Sequence, residues 1–163
     1  MTIRAVEERD VDAVVGLVRE LAEYERAAEH CLLTPAQLHA ALFAPAPALF
    51  GHVAEVAGED GRRAVVGCAL WFLNFSTWRG VHGLYLEDLY VQPAHRGAGI
   101  GRALLARLAG VCAERGLARL EWAVLDWNTP SIGFYRSLGA VTMDEWTVFR
   151  LDGEALEALG RDG

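Results

Sequence analysis

The 163-residue chain contains no lysine: all 15 basic residues are arginine, set against 22 acids, for a formal net charge of −7. That absence excludes Schiff-base chemistry, a lysine general base and a phosphate loop of the Gly-Lys-Ser/Thr type. Codon bias toward GC accounts for the arginines without a functional reason. No basic run exists either, so a nucleic-acid backbone is not expected as a partner. Cysteine is scarce. Cys31, Cys68 and Cys112 are odd in number and far apart, form no CxxC pair, and suit a reducing cytoplasm. The five histidines are scattered, and His30-Cys31 has no second pair at zinc spacing, so no metal is expected. No apolar run approaches the ~18 residues of a membrane span, and Met1–Asp12 is charged rather than signal-like. The remaining reading is one globular domain over residues 1–163, with 53% hydrophobic content and a core of useful size.

The pattern along the chain is mixed α/β. Thr2–Val6 reads as a strand. Asp10 or Asp12 can cap a helix with Val11, Val14, Val15, Val18, Leu21 and Ala22 on one face. Thr34-Pro35-Ala36-Gln37 is a capping-box start for a short helix to about Phe43. A hairpin follows: strand Leu49–Ala57, turn Gly58–Gly61 and strand Ala64–Phe75. Ser76–His82 is a polar loop holding Trp78, and Leu84–Val91 is a strand. Pro93–Gly101 is a glycine-rich loop, and Arg102–Arg115 is a helix closed by Gly116. Leu120–Leu125 reads as a strand, Asn128 opens a short helix that Gly139 closes, Val141–Leu151 reads as a returning strand, and Asp152–Leu159 as a last helix.

The loop Arg96-Gly97-Ala98-Gly99-Ile100-Gly101 sits between a strand and a helix. Alternating glycines let several N–H groups point one way at the positive end of a helix dipole, which suits phosphate oxygens. Arg96 and Arg102 flank it and can add charge-assisted bonds. The dinucleotide fingerprint GxGxxG fails, because Arg102 stands where the third glycine is required. A dinucleotide module therefore stays only as an alternative, with Glu121 imitating the ribose-binding acid. A ligand-free glycine turn is the other alternative.

Arg96-x-x-Gly99-x-Gly101 resembles the R/Q-x-x-G-x-G/A motif of the GCN5-related N-acetyltransferases, which bind the pyrophosphate of acetyl-CoA there. The resemblance extends to Leu84–Val91, to Trp127–Tyr135, to Leu138-Gly139-Ala140 and to Leu21–Glu25. Together these blocks look like the diamine (spermidine/spermine) and thialysine acetyltransferase branch. The resemblance implies a mostly antiparallel twisted sheet with a splayed strand pair, helices on both faces, acetyl-CoA as co-substrate and a homodimer.

An alkyl amine of pKa ~10.4 must lose a proton before it attacks a thioester, so a carboxylate is needed nearby. Glu87 and Asp88 are adjacent on a strand, and simple alternation sends them to opposite faces. The resemblance makes Glu87 the general base and Asp88 an amine contact. It places Tyr135 at the departing sulfur, where a phenol can donate a proton. Asn128 is a helix cap by pattern, and the resemblance adds a bond to the pantetheine arm. That arm would add along Leu89, Tyr90 and Val91 like a strand, with Gly97, Ala98, Gly99, Ile100, Gly101, Arg96 and Arg102 on the pyrophosphate. Tyr24 and Glu25 would line the amine site. Ser76-Thr77-Trp78 departs from the polyamine pattern, which carries an acid two residues before the tryptophan. It matches the thialysine pattern and favours a small primary amine. Cys68 and Cys112 sit in apolar settings and are not nucleophiles by this reading. An acyl-CoA-binding sensor without turnover is the alternative to an enzyme.

Overall fold

Apolar runs between Phe50 and Val91 form three long strands, and the fold is arranged around them. The structure is a computed structural model that describes residues 1–58 and 61–161. It divides into two units, Met1–Ala123 and Val124–Gly163.

The first unit holds a 5-stranded sheet in the order β1-β2-β3-β4-β5. The strands are β1 (Thr2–Ala5), β2 (Phe50–Ala57), β3 (Arg63–Ser76), β4 (Val81–Val91) and β5 (Leu120–Glu121). All pairs are antiparallel except β4–β5, which is parallel. The β2–β3 turn is closed by the Gly58 N–H on the Arg62 carbonyl, 2.7 Å, and the Gly61 N–H on the Gly58 carbonyl, 3.0 Å. Its Glu59 and Asp60 lie outside the described residues.

Helices α1 (Val11–Tyr24) and α2 (Pro35–Phe43) pack on one face. Their Val14, Val15, Leu17 and Leu38 join Val53, Cys68, Leu70 and Tyr90 in the buried core. Removing that apolar area from water is the main driving force here. Helix α3 (Ile100–Arg115) covers the other face, burying Leu104, Leu105, Leu108 and Val111. The α2 cap forms as the sequence suggests: the Gln37 N–H donates to Thr34 Oγ1 at 3.3 Å and the Thr34 N–H to Gln37 Oε1 at 2.9 Å.

Asp10 behaves differently from the expectation. It does not cap α1 through its side chain. It is buried and accepts from Arg4 at 2.6 and 2.9 Å and from the Glu7 N–H at 2.8 Å. These donors outweigh the desolvation of the charge, and its carboxyl titrates below the usual range.

Two further departures concern the later strands. β5 stops at Glu121 rather than Leu125. It meets β4 only at Leu84↔Leu120 and Tyr85↔Glu121. From Leu86 to Val91, that edge of β4 has no strand partner among the described residues, and this is the splay the resemblance implied.

The second unit contains α4 (Thr129–Ser137) and α5 (Gly153–Arg161). Asn128 caps α4, its Oδ1 accepting from the Ser131 N–H at 3.3 Å. Val141–Leu151 is not a strand; it is irregular, with a turn at Asp144–Glu145. Val148 and Phe149 are 92% and 91% exposed. Such residue types fit a strand, but a strand also needs a neighbouring edge for its N–H and C=O groups. No such edge pairs with this segment among the described residues.

Candidate active site

The acid pair is where the structure most changes the sequence reading. Leu70 pairs with Asp88, but Trp71 pairs with Leu86, so Glu87 is an extra residue in β4. This is a β-bulge. Cross-strand partners share a face. Leu70 belongs to the core under α1 and α2, whereas Trp71 lies under Arg115 of α3, 5.3 Å from its guanidinium. Leu86 and Asp88 are two residues apart and yet face opposite sides. The simple alternation that separated Glu87 from Asp88 does not hold, because the bulge resets it. Asp88 is turned toward the α1 side of the sheet.

Glu25 of the α1 end is near enough to act on Asp88. Burial first, then the Glu87 and Glu25 charges, push the Asp88 carboxyl up to about 6. Burial also raises Glu25. Glu87 itself is exposed. Asp88 thus feels two neighbouring carboxylates; it and Glu25 are half-buried and Glu87 is open to water, in a field that favours a cation.

The glycine loop runs from Arg96 to Gly101. Gly97 and Gly99 both have φ of 79°, a left-handed conformation that glycine adopts without strain. A side chain at either position would meet nothing within 4 Å, so neither glycine is packed against the rest of the protein. Helix α3 begins at Ile100, two residues before the expected Arg102, and Gly99 gives it no side-chain cap. The first N–H groups of α3 therefore take no side-chain cap at the positive helix end, which fits a pyrophosphate.

Arg96 is held from three sides. Its Nε donates to the Val91 carbonyl at 2.8 Å. Its guanidinium lies 5.1 Å from the Tyr24 ring centre and 5.4 Å from that of Tyr90. Nearby, Gln92 Nε2 donates to Glu20 Oε1 at 2.9 Å. Burial and Glu20 raise the Tyr90 phenol. The sequence reading missed Glu20 and Gln92. Neither stands in a motif, and only the fold brings residues 72 positions apart together.

Ser76, Thr77 and Trp78 form the tip of the β3–β4 hairpin. The Gly80 N–H closes it on the Ser76 carbonyl at 2.8 Å, and Trp78 is 87% exposed. Six residue steps of strand lead from Leu70, the partner of Asp88, to Ser76, a span of roughly 20 Å. Within one chain the tip is therefore not brought beside the acid pair. Asn128 and Tyr135 lie on the second unit, the first capping α4 and the second seven residues further along it.

Cys68 is fully buried and its thiol is pushed far up by desolvation; burial raises Cys112 as well. Neither is a thiolate at neutral pH. No group of three or more His, Cys, Asp or Glu able to hold a metal occurs among the described residues. No helix among them is long and apolar enough to cross a membrane.

A chain with this splayed sheet, bulged acidic strand and glycine loop at a helix start has clear relatives among known proteins. The model of the Acetyltransferase (GNAT) family matches residues 14–140. The chain belongs to that family and is an N-acetyltransferase. It is 39% identical to a thialysine N-epsilon-acetyltransferase of Bos taurus, over 96% of this chain and 95% of the relative. It is 33% identical to a human spermidine/spermine N(1)-acetyltransferase-like protein 1, over 94% of this chain but 23% of that protein. Among solved structures, an integron cassette protein from the mobile metagenome of V. cholerae superposes with TM-score 0.79 at 26% identity. That match covers 98% of this chain and 97% of the other.

Proposed function

We propose that this acetyltransferase moves the acetyl group of acetyl-CoA to the primary amine of a small molecule, by direct attack in a ternary complex. A thialysine-like amino acid with a side-chain amine is favoured over a long polyamine. The convergence of Glu25, Glu87 and Asp88 carries this reading. An ammonium group held by Asp88 and Glu25 can pass its proton to exposed Glu87, and from there to water. The free amine then attacks the thioester carbon. The C–N bond forms, the C–S bond breaks, the thiolate takes a proton from Tyr135, and the second proton lost by the nitrogen returns through water to restore the phenol.

The co-substrate has a place in this scheme. Its pyrophosphate would lie on the N–H groups at residues 97–102, and its pantetheine arm along the unpaired Leu86–Val91 edge of β4. A backbone N–H in that stretch would polarise the thioester oxygen. Asn128 caps α4 and would also bond the arm, since its amide has both donor and acceptor capacity. We take residues 1–163 as one catalytic domain, supported by a family match that runs across the boundary between the two units. A homodimer in the cytoplasm completes the proposal. The exposed apolar residues at 148 and 149 are a surface a second copy can bury, and the three free cysteines suit a reducing compartment.

The test is release of free thiol from acetyl-CoA across a panel of thialysine, a short diamine and spermidine. Thialysine should exceed spermidine at least tenfold in kcat/KM. Acetyl-CoA binding with no thiol released from any amine would leave a sensor instead. Tight NAD binding with acetyl-CoA ignored would make the loop a dinucleotide site.

A further inference from the structure

We propose that Arg96 is a positioning residue that ties the phosphate loop to the acceptor end of α1, and so sets the affinity for the amine. The sequence alone offers Arg96 as one more cation for a phosphate. Its geometry gives it other work. The Nε–H is taken up by the Val91 carbonyl, and the guanidinium plane lies by the rings of Tyr24 and Tyr90. A flat, delocalised cation suits such a place, and a lysine ammonium does not.

The tie has two rungs. Glu20 and Tyr24 stand four residues apart on α1, on one helical face. Gln92 and Arg96 stand four apart on the segment leaving β4. Glu20 meets Gln92, and Tyr24 meets Arg96. The Tyr90 hydroxyl feels both Glu20 and Arg96. Immediately beyond Tyr24 comes Glu25, whose charge reaches Asp88. The next residue, Arg26, sits at φ 60°, a left-handed conformation unfavourable for a side chain other than glycine. A strained helix end of this kind persists only where its surroundings hold it. The Tyr24–Arg96 stack lies two residues away and supplies that restraint. The loop that takes the co-substrate thereby fixes the corner that takes the amine, without Arg96 touching the amine.

This inference rests on the reading of Tyr24–Glu25 as part of the amine site, so its test includes one arm that needs no substrate. Hydrogen exchange is followed on the ligand-free protein at the Glu25 and Ala27 amides, which bond to the Leu21 and Ala22 carbonyls. Arg96→Gln should speed both at least tenfold, with the circular dichroism of the native fold retained. In steady-state assays the acceptor KM should rise at least fivefold, with the acetyl-CoA Kd changed less than threefold. Arg96→Lys keeps a charge for phosphate but loses the plane, and should behave like Arg96→Gln. Tyr24→Leu should add little to either variant. Unchanged exchange overturns the proposal. So does a loss of acetyl-CoA affinity as large as the rise in acceptor KM, or recovery by Arg96→Lys. Faster exchange in Arg96→Gln, with no amine consumed by the unsubstituted enzyme, keeps the tie and overturns the amine assignment instead.

Discussion

Asp88 keeps its proton up to about pH 6, because burial and the charges of Glu87 and Glu25 oppose its ionisation. Below that pH it is neutral and a weaker partner for an ammonium group. The kcat/KM for the amine should therefore fall as pH drops through 6, an inflection that Asp88→Asn removes while lowering kcat/KM about a hundredfold. The same shift has a stability sign. The folded-state value lies above the usual 3.8. The folded state therefore gains from Asp88 at acid pH and loses that gain as pH rises through 6. Asp88→Asn should accordingly raise stability at pH 8, by about 1–3 kcal/mol, measured by thermal unfolding. A variant both slower and more stable is the signature of a carboxyl placed for function rather than for folding. Tyr135 answers to a different measurement. Tyr135→Phe should lower kcat about a hundredfold with acetyl-CoA affinity kept, as loss of a proton donor does; unchanged kcat removes Tyr135 from the chemistry.

The end of α1 shows how an element can break a local rule at a working site. The Ala27 N–H bonds to the Ala22 carbonyl and the Arg26 N–H to that of Glu23, which closes the helix around a left-handed residue. That residue is normally glycine, and here it is Arg26. Arg26→Gly should raise the stability of the protein by about 0.5–1 kcal/mol, read as a rise in Tm of a few degrees. No change or a fall in Tm would mean that the Arg26 side chain earns its place through contacts. Nothing in Tyr24-Glu25-Arg26-Ala27 signals this closure, since the usual glycine is missing. By contrast, Thr34-Pro35, Gly116 and Asn128-Thr129-Pro130 marked their helix ends correctly, because each carries its own local hydrogen bond or dihedral preference. The glycine loop was legible for the same reason. The bulge at Glu87 was not, because a register slip belongs to two strands and leaves no mark in one. The segment Val141–Leu151 carries strand-forming residues but lacks an edge to pair with, and residue type cannot report that.

At the scale of the molecule, the first unit carries a titratable group in its second packing layer, between the sheet and α3. His52 of β2 is buried, and its Nδ1 accepts the indole N–H of Trp71 at 3.2 Å. Trp71 stacks on Phe50 at 4.5 Å, and Arg115 of α3 lies over both rings. Burial, then the charges of Arg107 and Arg115, lower His52 to about 4, against a smaller opposing effect of Glu114. Protonation would turn Nδ1 into a donor facing the indole N–H and place a cation beside two arginines. The unfolded chain has no such constraint and takes up its proton near 6.5. Between pH 6.5 and 4 the unfolded state therefore binds the extra proton, and stability declines as pH falls. The contribution of His52 is constant above that window, is lost through it, and is flat again below pH 4. Its full size is on the order of 3 kcal/mol. Carboxylates also titrate in this range, so the quantity to measure is the difference between the wild-type protein and His52→Gln, which keeps an acceptor for Trp71 and cannot ionise there. Urea unfolding of both proteins from pH 7.5 to 3.5 should give curves that differ most steeply near pH 5. Parallel curves across the whole range would show that His52 is not held neutral by the fold, and that α3 is seated on the sheet without a pH-sensitive contact beneath it.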